Sequence, residues 1–344
     1  MDEVAQLSNA ERRTLFQEVA NKRRLNIQII EKDFWVCWTL KKLFDIDPIN
    51  GYLIFKGGTS LSKIYNIIER FSEDIDVAID RGYLGFANDY DLRSLSAGKR
   101  DKAVIALDEA CKAVVEGYLL NTLKTSFSEI LDDQFVGQWE LVIDKGDRSG
   151  QTILFNYPRE NLGLADLEYI RPFVKIELGA RPENQPIESH RVQPYAAEDF
   201  PQMFKNPASE ILVLSAERTF WEKATILHDQ YHRVPTYPTA ARMSRHYYDF
   251  YMLAKSRVYE EAINNIGVLE SVIINKTSFF YRAGAKYEEV LLGHLHLVPT
   301  AERLVALERD YVNMNPMFFV EPLRFTEIIE SLSELEKEIN TRLA

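Results

Sequence analysis

One stretch of the chain constrains the fold more than any other: the order strand, Gly-Gly, helix, strand between Tyr52 and Asp80. Tyr52-Leu53-Ile54-Phe55 reads as a short buried strand. It runs into Gly57-Gly58, and a helix is predicted from about Ser60 to Glu69. The chain then returns as a strand over Asp74–Asp80, where apolar and polar residues alternate. Glycine lets backbone approach a ligand closely and adopt positive φ. Gly57, Gly58, Thr59 and Ser60 therefore lead free N–H groups and hydroxyls into a helix start, which suits phosphate. Lys63, one turn in, either adds charge there or points to solvent. Residues i and i+2 of a strand share a face, so Asp74 and Asp76 project together while Ile75, Val77 and Ile79 enter a core. Two adjacent carboxylates repel unless a cation neutralises them. Oxygen donors without Cys or His suit Mg²⁺ or Mn²⁺. Alone, a Gly-Gly is a turn and an Asp-x-Asp an exposed strand face; in this order they outline a nucleotidyl-transfer site.

The rest of the chain supplies a mixed α/β frame. Ser8-Asn9-Ala10-Glu11 has the form of a capping box opening a helix to about Lys22. Asn26 to Phe44 is helical by the spacing of Ile27, Ile30, Phe34, Cys37 and Trp38. Asp101 to about Ser126 reads as a long helix. Phe135–Asp144 and Thr152–Tyr157 read as strands joined by a Gly-rich turn, and Ile170–Leu178 as another. Arg181 to Pro207 reads as loop, with a strand near Arg191-Val192. Helical patterns then dominate: Ser209–His228, Ala240–Lys255, Tyr259–Leu269, Ala301–Val312 and Thr326–Leu343. The shift near residue 205 divides the chain into an expected α/β domain with N-terminal helices (1–205) and a helical C-terminal domain (206–344).

Composition narrows the function. The chain is 46% apolar and 27% charged, ordinary globular values. Its net charge of −11 argues against broad, non-specific nucleic-acid binding but leaves room for a local basic groove. Arg12-Arg13 and Lys22-Arg23-Arg24 read as solvated helix faces. No apolar run approaches the ~18 residues of a membrane span, and the polar N-terminus has the form of neither a signal nor a transit peptide. Cys37 and Cys111 lie in apolar, helix-like stretches, as buried free thiols of a reducing cytoplasm would. His228-Asp-Gln-Tyr-His232 spaces two histidines as zinc proteases do but lacks the Glu that must follow the first, so zinc hydrolysis is not expected.

Gly57-Gly-Thr-Ser-Leu-Ser-Lys63 followed by Arg70-Phe-Ser-Glu-Asp-Ile-Asp-Val-Ala-Ile79 closely resembles the signature of the AbiEii/AbiGii toxin family. These are nucleotidyltransferase-like bacterial toxins of the DNA-polymerase-β superfamily. Ile30-Glu-Lys-Asp-Phe34, Leu154-Phe-Asn-Tyr157, Glu217-Arg-Thr-Phe-Trp-Glu-Lys223 and Arg245-His-Tyr-Tyr-Asp-Phe-Tyr251 also resemble family blocks, over about residues 25 to 255. The resemblance implies an α+β fold: a polymerase-β-like core with a mixed sheet flanked by helices, plus a C-terminal helical lobe. It implies a third carboxylate on a later strand, where Glu177 stands; the family more often has Asp there, and Glu177 is either a metal ligand with Asp74 and Asp76 or a solvent-facing strand residue. It implies a catalytic lysine at Lys223. That residue lies between Phe220 and Leu227 on an apolar stripe, where a lysine needs a partner or a ligand unless it snorkels outward. It implies an active-site carboxylate at Asp249, as a metal contact, nucleotide contact or base; the competing reading is a surface salt bridge with Arg245.

The resemblance further implies a Mg²⁺- or Mn²⁺-dependent cytoplasmic enzyme of a toxin–antitoxin and phage-defence (abortive infection) system. Such an enzyme would move a nucleoside monophosphate from an NTP to an acceptor hydroxyl, with the 3′ end of tRNA as the acceptor it points to and a cognate antitoxin protein as partner. Transfer to a protein hydroxyl and NTP binding without turnover are the competing readings.

Overall fold

The computed structural model describes residues 1–87, 91–159, 170–183, 185–234 and 236–344. Seven strands form one mixed sheet: β1 (Leu53–Lys56), β2 (Asp74–Ile79), β3 (Glu140–Ile143), β4 (Thr152–Asn156), β5 (Val174–Gly179), β6 (Ile187–Val192) and β7 (Ser209–Leu214). Their order is β3-β4-β5-β2-β1-β7-β6. Strand β2 runs antiparallel to β1 and parallel to β5, and β1 runs parallel to β7. The two strands of the Gly-Gly motif thus sit at the centre of the sheet.

The helices are α1 (Asp2–Ala5), α2 (Asn9–Arg23), α3 (Ile27–Phe44), α4 (Gly57–Lys63), α5 (Ala97–Ala113), α6 (Leu120–Phe135), α7 (Tyr195–Asp199), α8 (Ala216–Tyr231), α9 (Ser244–Ala254), α10 (Val258–Asn264), α11 (Ile266–Phe279), α12 (Ala301–Asn313) and α13 (Phe325–Leu343). The Ser8–Glu11 capping box forms and opens α2. Asn26 caps α3 through the amide of Gln28.

One face of the sheet, carrying Phe55, Ile75, Val77, Ile176 and Phe155, packs on Trp35 and Trp38 of α3 and on α5 and α6. A second core begins at Ala216 and gathers α8 to α13, with Leu61 and Ile68 as its links to the Gly-Gly motif. The architecture is α+β with a C-terminal helical lobe. Among the described residues, no helix is long and apolar enough to cross a membrane.

Several sequence expectations need correction. Ser209–Leu214 is strand β7, not the start of a helix. Ile211 and Val213 fill the sheet core, and Ser215 caps α8 by accepting from the Arg218 amide, so the helix begins at Ala216. A short apolar run is ambiguous by periodicity alone. The composition shift at residue 205 therefore falls short of the last strand. The helix expected over Ser60–Glu69 is the shorter, earlier α4, and Asn66 turns the chain with φ 52°. The helix expected over Asp101–Ser126 runs from Ala97 to Phe135 through a π-helical turn at Val114–Leu119. The strand expected from Phe135 starts at Glu140, because Phe135 ends α6 as a buried residue. The pattern over Tyr259–Leu269 is broken at Asn265 into α10 and α11. In the loop expected over Arg181–Pro207, β6 spans six residues and α7 five, and residue 184 lies outside the described residues. Arg12 is no solvated face: it is buried and donates to the carbonyls of Ala5, Leu7 and Pro158. Cys37 and Cys111 are free and buried.

Candidate active site

The alternation in β2 does what the sequence implies. Ile75 and Val77 are buried in the sheet core, while Asp74 and Asp76 stand together on the opposite face. In the ladder Lys56 of β1 pairs with Asp76, and Asp76 pairs with Glu177 of β5. Three carboxylates thus cluster on neighbouring strands. Burial and the charges of Glu177 and Asp74 push the Asp76 carboxyl up to about 7. The shift reflects burial first and then the repulsion of the two neighbouring carboxylates, which Arg245 offsets only in part. Lys175 pairs with Glu177, and Arg245 Nη1 stands 3.7 Å from Asp74 Oδ2. Among the described residues no three His, Cys, Asp or Glu side chains converge closely enough to hold a metal ion. In donor chemistry three carboxylates are of the type a hard divalent cation takes.

The glycines are required by contact as much as by conformation. Gly57 has φ +82°, and a Cβ there would lie 2.0 Å from Asp76 Oδ2. A Cβ on Gly58 would lie 2.7 Å from Ser72 Oγ and 2.9 Å from Arg70 Nη2. The backbone of the loop is therefore pressed against the Asp76 carboxylate. Its hydroxyls are turned inward: Thr59 Oγ1 donates to the Asp74 carbonyl at 2.5 Å and Ser60 Oγ to that of Gly57 at 2.9 Å. Any contact of this loop with a nucleotide falls to its backbone.

Lys63 is directed elsewhere. Its ammonium is buried, 2.7 Å from Asp33 and 3.4 Å from the centre of the Tyr195 ring. It ties α4 to α3 and α7, and this placement does not provide the nucleotide contact expected of it.

The helical lobe brings Lys223 and Asp249 to the same place. Asp249 is fully buried and accepts from Lys223 Nζ at 2.7 Å. Arg70 grips both of its oxygens, Nε at 2.7 Å and Nη2 at 2.8 Å. Burial would raise the Asp249 carboxyl, but Arg70 and Lys223 win and hold it well below the usual carboxylate range. Burial draws Lys223 downward against the pull of Asp249, and burial and Lys223 keep neighbouring His246 far below its ordinary value. The competing reading, an Arg245–Asp249 surface pair, is not what forms: Arg245 reaches Asp74 instead. Arg70 and Lys223 take up three acceptor positions of this carboxylate, so Asp249 stands as the shared counter-ion of those two cations.

Sequence reasoning did not single out Arg70 and Arg245, although both lie inside quoted motifs. Beside the carboxylates opens a cavity of about 410 Å³, within the ~300–1,000 Å³ range of small-molecule sites. Lys32, Lys175, Arg242 and Arg245 line it together with Glu73, Asp74 and Glu177. The Ile30–Phe34 block contributes Lys32, which pairs with Glu73 in that wall, and Asp33, the partner of Lys63. The His228/His232 pair forms no zinc site: His228 Nδ1 accepts from the His296 amide and Nε2 bonds the Lys286 carbonyl.

The site is a cleft with opposite surpluses. On β2 and β5, Asp74, Asp76 and Glu177 outnumber Lys175; facing them, Lys223 and Arg245 of the helical lobe, joined by Arg70 from the segment before β2, outnumber Asp249. A cation suits the first side and a polyanion the second.

A family model described as nucleotidyl transferase AbiEii toxin, type IV toxin–antitoxin system, matches residues 38–331. That span reaches further toward the C-terminus than the sequence motifs do. Among solved structures the chain is similar to MenT4, a nucleotidyltransferase toxin from Mycobacterium tuberculosis, with 16% identity, a TM-score of 0.46 and coverage of 96% of this chain and 97% of that one. It is also similar to JHP933 from Helicobacter pylori, with 14% identity, a TM-score of 0.36 and coverage of 92% and 98%. No curated protein matches the sequence.

Proposed function

This chain belongs to the AbiEii nucleotidyl transferase toxin family, and from that premise we propose that it transfers a nucleoside monophosphate from an NTP to an acceptor hydroxyl, that of a tRNA 3′ end. The observation that carries the reading is the charge division of the cleft, acidic on β2 and β5 and basic on α8, α9 and Arg70. An NTP with its divalent cation has the complementary division. Asp74 and Asp76 would hold Mg²⁺ or Mn²⁺, with Glu177 joining them on leaving Lys175. Such a cation, when bound, neutralises triphosphate charge and favours the acceptor oxygen as nucleophile.

The protein's own groups do the rest. Lys223, Arg70 and Arg245 draw in the triphosphate and stabilise the charge that grows on departing pyrophosphate. Gly57 and Gly58 let the backbone lie against the phosphates beside Asp76. The acceptor hydroxyl gives its proton to solvent as its oxygen bonds to the α-phosphorus and the bond to the bridging oxygen breaks, and pyrophosphate leaves. Asp249 keeps the two cations in place. The sheet lobe and the helical lobe, meeting near Ser215, act as the two jaws. The family's toxin–antitoxin setting implies an antitoxin partner, and the reading places the enzyme in the cytoplasm.

Incubation with each α-labelled NTP, Mg²⁺ and total cell RNA or protein tests the proposal. Label in small RNA is expected. Label in protein would move the acceptor to a polypeptide, and NTP binding without label in either would reduce the protein to a nucleotide-binding module.

A further inference from the structure

A second, larger cavity of about 840 Å³ opens between the helical lobe and α5. It begins on α8 one turn beyond Lys223, at Ile226 and Gln230, and extends to α5 and the end of α11. Met243 lines it while its neighbour Arg242 lines the cavity beside Asp74, so the two cavities flank the segment that leads into α9.

Its chemistry departs from that of the chain. In a protein of net charge −11, five cations line this cavity against two carboxylates, Asp101 and Asp229. Arg233 and Arg282 share the single carboxylate of Asp229, each through Nε at 2.8 Å. Among the described residues Arg100 and Lys276 make no ion pair. The Arg100 guanidinium lies 3.9 Å over the Tyr281 ring and its Nε is buried without a hydrogen-bond partner. Lys276 lies 5.0 Å from the centre of the Phe280 ring. Phe280 and Tyr281 are among the exposed large apolar side chains, 36% and 54% accessible. Exposed rings beside cations that no carboxylate grips closely fit a strand whose bases stack and whose phosphates bind. A duplex needs a broad basic field, which an acidic chain lacks.

We propose that this cavity receives the single-stranded end of the acceptor nucleic acid and delivers its terminal hydroxyl toward Asp76. The inference deepens the proposed function and rests on it. Arg100 and Lys276 would bind phosphate, and Phe280 and Tyr281 would stack on bases.

The test measures binding of a short fluorescein-labelled single-stranded RNA to the full chain by anisotropy, apart from catalysis. The Arg100→Ala/Tyr281→Ala protein should lose about tenfold or more in RNA affinity, the scale of one lost stacking platform. Its affinity for NTP should stay unchanged, and its KM for the RNA acceptor should rise while its KM for NTP does not. Phe280→Ser, at an exposed ring, gives the same readout should the double variant not fold. Asp76→Asn should bind the RNA normally while failing to transfer. Unchanged RNA affinity in the folded cavity variants overturns the inference while leaving the transferase reading intact. So does a wild-type protein that prefers duplex RNA, or cavity variants that lose labelling of a protein acceptor instead. Loss of all transfer from every NTP in the wild-type protein would fail the transferase reading, whatever the RNA affinity.

Discussion

The two walls of the cleft treat buried charge in opposite ways. On the sheet wall, Asp76 stands beside Glu177 and Asp74 with its carboxyl pushed up to about 7. On the helical wall, Asp249 is more deeply buried yet held far below the ordinary range, because Arg70 and Lys223 share it. Burial alone therefore does not decide the fate of a carboxylate; its partners do. The sheet wall is left unbalanced, as a site awaiting a cation would be. The helical wall is balanced internally around Asp249 and keeps a positive remainder for a ligand.

The largest effect should come from removing the unbalanced charge. Asp76→Asn is nearly isosteric, so transfer should fall by at least roughly 10²–10³-fold, the loss seen when one electrostatic group of an active site is removed. In chelator, the melting temperature should stay level or rise, since a repulsive charge has gone. A variant that transfers normally, or one that melts well below wild type, would erase the contrast between the walls.

Asp249→Ala tests the balanced wall. It strands two buried cations, and breaking such a network costs about 3–5 kcal/mol. Chemical denaturation should report a loss of that order. A loss under about 1 kcal/mol would mean that water already screens the network.

A pH experiment sharpens the comparison at the far end of α8. Burial, then the charges of His232 and His296, push His228 down to about 4 from 6.5, with the Lys286 carbonyl opposing. Its folded value is depressed, so the neutral ring is the folded form. Stability is present above pH ~6.5 and is lost as pH falls toward 4, by about 3 kcal/mol in all. Denaturation curves between pH 7 and 4 should show this decline plainly in Asp76→Asn; in wild type the raised Asp76 carboxyl takes up a proton in the folded state over the same range and opposes it. A flat profile in Asp76→Asn would mean that His228 titrates normally.

Lys223→Met should have the smallest effect, and one confined to activity. Arg70 still neutralises Asp249, so stability should change little, while turnover falls about 10- to 100-fold for the lost contact, or roughly 1.4–2.7 kcal/mol. Near-normal turnover with a sharp drop in melting temperature would make Lys223 a structural counter-ion and confine the chemistry to the sheet wall.

Much of this site was legible locally. The alternation from Asp74 to Ile79 already put two carboxylates on one face, and the Gly-Gly before α4 already required close backbone approach. The Ser8–Glu11 capping box fell where its spacing placed it. Misreadings arose where local pattern was ambiguous or irrelevant. Ser209–Leu214 has an apolar run that helix and strand share, and only its pairing with β1 and β6 made it a strand. Lys63 follows the Gly-Gly by a few residues, yet its charge was claimed by Asp33 on another helix. Arg245 sits one turn before Asp249 and ignores it for Asp74.

By itself the sequence determined the period-two face of β2, the glycine turn, the capped helices and the family signature, because each depends on residues within a turn or two of one another. Tertiary structure alone decided which charges are balanced. Arg70 and Asp249 are 179 positions apart in the chain and 2.7 Å apart in the fold. Ion pairs act over a few ångströms in a low-dielectric interior, so the choice of partner for each buried charge was made only when the two lobes closed on each other.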